Sequence, residues 1–278
     1  MKVIQFKGFS MAMATGLMAG LISSPVLAHD PVFGVGPHVL FKGGMDVTAE
    51  VQSGKAGTNK AQASVLDVRY GLTGDWVAGF DLPYTFKDNG TNSSNGNGDV
   101  ALFTKYRFWR EDSLGRQDSA AVLLKVITDT AASNKNPSLD KGSTDTIMGL
   151  TYGSEGRKWY RWASARYRFN GTNDAGIDRG DKILIDFVGG IRPTPTNYME
   201  PDTVWLLELN GEYSQRAEFG GAELANTGGA EWFISPGIFW TKRNFAIKAG
   251  VQIPIYSSLN EIQQESDYRA KLSFEWHM

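Results

Sequence analysis

Two of the three histidines fall close together, in the run His29-Asp30-Pro31-Val32-Phe33-Gly34-Val35-Gly36-Pro37-His38. If an export signal is cleaved after Ala28, His29 offers both an α-amine and an imidazole. With His38 and Asp30 these nitrogens form a set suited to a divalent copper ion. The simpler reading is a periplasmic tail, held against the barrel mouth by its apolar residues, whose Pro and Gly residues shape a turn. The chain has no cysteine, which excludes thiolate catalysis, thiolate metal sites and disulfides. Asp174, Asp178 and Asp181 miss the spacing of a calcium loop and read as solvated acids. A serine hydrolase would need a histidine base beside its nucleophile. The histidine in a strand-like segment is His277, facing inward at a periplasmic end, away from lipid. No spacing singles out a pair of catalytic carboxylates, and no enzymatic activity is expected.

A second set of polar groups recurs at every other position. Asp67 and Arg69 alternate with Leu66, Val68 and Tyr70, Asp81 lies between Phe80 and Leu82, and Lys105 and Arg107 flank Tyr106. Lys125, Arg166, Arg168 and Asp186 occupy the equivalent face of later segments, as do Glu208, Lys248 and Lys271. Side chains two apart on a strand share a face, so a closed sheet would gather these groups around one aqueous interior. Their signs nearly cancel, and neither anion nor cation selectivity follows from them. A net charge of −2 provides no field for a polyanion, so nucleic acid is a poor partner.

The elements that carry these groups are segments of roughly ten residues with a period of two, the length of a tilted membrane-spanning strand. They begin at Met45 with Met45, Val47, Ala49 and Val51 on one face and Asp46, Thr48, Glu50 and Gln52 on the other. They end with Tyr268, Ala270, Leu272, Phe274, Trp276 and Met278. About twelve such segments fit the chain, an even number, as a bacterial single-chain barrel requires. Long polar connections (88–98, 131–142, 171–180, 215–228 and 257–266) alternate with mostly short ones, the exception being 193–201. The expected fold is all-β, a transmembrane antiparallel up-and-down barrel over residues 45–278 with the long loops outside. A soluble β-sandwich would also alternate, but it would not sort its loops by length onto opposite ends.

Lys2 and Lys7 precede an apolar run from Met11 to Ile22 and the small-residue site Val26-Leu27-Ala28. Residues 1–28 therefore read as a cleaved signal peptide, and 29–44 as a periplasmic N-terminal segment. The destination is the outer membrane of a Gram-negative bacterium. Expected partners are outer-membrane lipid and lipopolysaccharide, the barrel-assembly machinery and a small solute, with the protein acting as a monomer.

The runs Gly79–Phe86 (GFDLPYTF) and Gln252–Tyr256 (QIPIY), with Pro83 and Pro254 where a strand bends, resemble strand–Pro features of bacterial outer-membrane transporters associated with meta-cleavage phenol degradation. The likeness extends over Met45–Met278 and, distantly, to the fatty-acid and aromatic-hydrocarbon uptake barrels. It implies passive transport of a small polar or amphipathic solute, aromatic ones included. The segment His29–Gly44 is shorter than the hatch of the hydrocarbon-uptake barrels, which argues against their gated mechanism. The competing reading is a non-conducting barrel that is structural or binds a ligand or metal.

Overall fold

The computed structural model describes residues 30–196 and 199–278; the expected signal peptide and His29 lie outside them. Twelve strands form the wall. They are β1 (Met45–Ala56), β2 (Asn59–Gly71), β3 (Trp76–Asp88), β4 (Ala101–Ser113), β5 (Arg116–Ile127), β6 (Asp145–Gly156), β7 (Trp159–Phe169), β8 (Lys182–Ile191), β9 (Asp202–Ser214), β10 (Gly229–Lys242), β11 (Phe245–Leu259) and β12 (Ser266–His277). Each pairs antiparallel with its sequence neighbours. The first and last strands close the ring, from Asp46↔His277 to Lys55↔Tyr268. Closure removes the sheet edge, so every strand can bond on both sides within lipid.

Alternation sets which face is which. Leu102, Leu150, Phe187, Leu207 and Ile253 are large apolar side chains left exposed on the outside, while their sequence neighbours Ala101, Thr151, Asp186 and Glu208 are buried inside. In a water-soluble molecule that outer face would be costly; against lipid it is the favourable solvent contact. Aromatics mark its borders. Trp76, Trp159, Trp205 and Trp276 ring the end holding both ends of the barrel chain, and Phe86, Phe169, Tyr213 and Tyr268 ring the other.

The outer connections are long and structured, except the β1–β2 turn, where Gly57 takes a φ of 57° that L side chains resist. Only the inner half of β3, Trp76–Asp81, pairs with β4; its outer half pairs with the short strand Ser93–Asn97. Between β5 and β6 the chain folds inward, burying Leu139 beside Gly96. Ile177–Asp178, Glu218–Phe219 and Ala222–Glu223 form a small separate sheet of outer-loop segments.

The N-terminal segment departs from expectation. The sequence reading places residues 29–44 as a periplasmic tail against the barrel mouth, whereas residues 30–38 run inside the lumen. Val32 is 2% exposed and packs against Tyr160, Trp162, Val188, Val204 and Leu206 of the inner wall. A twelve-stranded barrel is wider than its own side chains can fill, and the apolar segment occupies space that would otherwise hold water.

Candidate functional site

The site is the lumen, built from one wall, the inserted segment and the space left between them. Glu208 of β9 is fully buried and is the segment's main anchor. Its Oε1 accepts the N–H groups of Val32 and Phe33 at 2.7 and 3.2 Å, and its Oε2 accepts those of Phe33 and Gly34 at 3.2 and 2.8 Å. Successive backbone N–H groups thus converge on one carboxylate, a nest that satisfies donors which would otherwise be buried without partners.

Charge and shape fix the rest of the segment. Lys105, 2% exposed, donates to both Asp30 carboxylate oxygens at 2.9–3.0 Å and to the Gly36 carbonyl at 2.9 Å. Burial pushes the Asp30 carboxyl up, but Lys105, His38 and Lys248 together outweigh it and hold the group below its ordinary range. Thr151 donates to the Val35 carbonyl at 2.7 Å. Three wall glycines make room: a Cβ at Gly153 would lie 2.8 Å from Pro37, one at Gly237 3.0 Å from Val32, and one at Gly250 3.0 Å from Phe33. Where the segment leaves the barrel, His38 pairs with Glu155, which also accepts the Trp162 indole N–H at 2.6 Å.

Apart from Lys105 of β4, this packing uses the β6–β11 side. Against the β1–β5 side a cavity of about 520 Å³ remains, reaching from Asp46 and His277 at the periplasmic end to Asp99 and Lys141 near the outer loops. A vestibule of about 710 Å³ lies between the outer ends of β1–β3 and β12. Phe33, Gln52, Ala63 and Lys271 border both spaces.

The sequence-predicted lumen residues divide into groups. Asp67, Arg69, Asp81, Lys105, Lys125, Arg166, Lys248 and Lys271 border the cavity. Within it Arg69 bridges Asp67 and Asp81, Lys125 pairs with Asp81 at 2.5 Å, and Lys271 with Glu50 at 3.4 Å. Arg69 also stacks over Phe103, 4.2 Å from the ring centre. Asp186 and Glu208 lie beneath the inserted segment, Asp186 bonded to Ser164, Arg166 and Asn210. Arg168 joins Arg179 on the buried Asp145 below the outer loops. Arg107 sits at the periplasmic rim, tying the β2–β3 turn through Asp75 at 2.7 Å and the Gly74 carbonyl at 2.8 Å.

Of the proposed copper ligands, His29 lies outside the described residues; Asp30 is bonded to Lys105 and His38 to Glu155. The sequence reading missed Val32 and Phe33 as lumen residues. Their signal is the apolar, glycine-spaced run Val32–Gly36, which packs within the lumen and not at its mouth.

A closed antiparallel barrel with an apolar outer band, aromatic borders and a charged interior defines an outer-membrane β-barrel. The solved structures similar to this one share that fold. An outer-membrane channel of Pseudomonas putida F1 has a TM-score of 0.67 at 13% identity, over 90% of this chain and 100% of that one. The NanC porin has a TM-score of 0.50 at 12% identity, over 84% and 98%. No curated protein matches the sequence significantly. Over residues 28–258 the chain matches, and belongs to, the family described as "Putative MetA-pathway of phenol degradation".

Proposed function

We propose that the protein conducts small polar or amphipathic solutes passively across the outer membrane, through the space between its inserted segment and the β1–β5 wall. The observation that carries this reading is that the vestibule and the cavity share Phe33, Gln52, Ala63 and Lys271 as lining. Lys125 and Lys271, with side chains 31% and 22% exposed, favour a hydrated solute, because their ammonium N–H groups can bond it. Phe33 and Phe103, each beside a cation, add apolar faces that suit a solute with a flat ring. The family description, with its reference to phenol degradation, agrees with that choice.

Single-channel recording on the refolded protein tests the proposal. Small, stable openings are expected, growing when Glu208→Gln loosens the segment. Persistent silence from both proteins would favour the second reading, a closed barrel that binds its ligand without passing it. That reading draws on the ion pairs Arg69–Asp81, Lys125–Asp81 and Lys271–Glu50, which also suit a sealed interior.

A further inference from the structure

At the periplasmic end of the cavity, where the first and last strands meet, Asp46, Glu275 and His277 face one another. The ring closure itself brings them together: Asp46 and His277 are direct cross-strand partners, and Thr48 pairs with Glu275 one inward step along. His277 Nδ1 lies 3.7 Å from Asp46 Oδ2, and its Nε2 3.9 Å from Glu275 Oε2. One ligand atom from each residue falls within 4.8 Å of the others. A single ion would take one of the two imidazole nitrogens, and bonds of about 2.0–2.2 Å at tetrahedral angles separate ligand atoms by roughly 3.4 Å, so the three side chains would draw together from within 4.8 Å.

The carboxylates are already oriented from behind. Thr48 Oγ1 donates to Asp46 Oδ1 at 3.4 Å, and Lys248 holds Glu275 Oε1. In each case the other oxygen is the one nearer His277. Such outer hydrogen bonds are how metal sites aim their ligands. Lys248 offsets the charge of one carboxylate, and Arg69, across the strand from Asp46, is engaged by Asp67 and Asp81. The remaining carboxylate and a neutral imidazole still favour a divalent ion. An imidazole nitrogen among the donors points to the zinc class rather than to calcium or magnesium.

We propose that Asp46, Glu275 and His277 bind one divalent transition metal of the zinc class, joining the first strand to the last and leaving an open coordination position toward the lumen. This site is separate from the N-terminal histidines and does not depend on conduction. The test is calorimetric titration of Zn²⁺ into the folded, detergent-solubilised full chain after chelator treatment. One site is expected in the wild type, lost in His277→Gln and in Asp46→Asn, and weakened about 10- to 100-fold in Thr48→Ala. His38→Ala should bind as the wild type does. Heat-dependent gel mobility confirms that each variant is folded, and the paired variants on opposite strands guard against one failing to assemble. Unchanged affinity in both His277→Gln and Asp46→Asn, or no stoichiometric binding to the wild type, would overturn the assignment.

Discussion

At the scale of single residues, Glu208 and Lys141 have the most direct consequences. Glu208→Gln keeps one accepting oxygen but replaces the other by an NH2 group that donates instead of accepting the converging N–H groups, and hydrogen bonds to charged groups contribute about 1.5–3 kcal/mol each. The segment should dock less firmly, and limited proteolysis of the embedded protein from the periplasmic side should cut within residues 30–44 faster than in the wild type. Gly153→Val, whose added atoms meet Pro37, should do the same without any change of charge. Burial, and then the neighbouring Arg168, pushes the Lys141 ammonium down to about 8. Lys141 borders the cavity, so raising the pH from about 7 to 9 neutralises a lumen cation. Reversal potentials should shift toward cation preference over that range, and Lys141→Met should show no such shift.

At the scale of the strand, alternation carries the argument, because a one-residue slip would turn every charged side chain into lipid. Leu150 of β6 and Leu272 of β12 lie on the outer face, between the aromatic borders. Leu150→Arg and Leu272→Arg should each cost about 2–4 kcal/mol of folding free energy, as a cation does near the bilayer midplane. Urea titration in detergent or lipid would measure it. Near-zero costs would mean that this face is in water. The proline features read from the sequence also act at this scale. Pro254 lies where the β10–β11 register shifts, between Trp232 and Phe233, and Pro83 lies where β3 passes from β4 to the short strand Ser93–Asn97. A residue without an N–H is tolerated at such interruptions and not within a continuous ladder.

For the whole molecule, the barrel and its inserted segment should behave as separable parts. Asp30 has its carboxyl held below the ordinary value of 3.8, so its ion pair with Lys105 contributes fully above that value. The contribution is lost as pH falls through the lowered value, since protonation then removes the charge. Segment docking, followed by proteolysis or by channel conductance, should therefore hold at pH 5 and weaken only below about pH 3.8, with the strands still paired. Asp30→Asn should show the weakened docking at every pH.

The sequence alone determined the wall. Period two, segment length, loop sorting and aromatic borders depend only on which side chains prefer lipid and which prefer water, and that preference is local. It also pointed to Asp67, Arg69, Asp81, Lys125 and Lys271 as interior groups, because parity along a strand assigns a face. Tertiary structure decided what fills the interior. That Val32 packs on Trp162, that Glu208 receives the N–H groups of residues 32–34, and that Asp46 meets His277 depend on contacts between residues more than a hundred positions apart. Ring closure, rather than any local pattern, sets those distances. A nearer tertiary contact decides Arg107, whose parity points inward but whose partner, Asp75, lies in a turn at the rim.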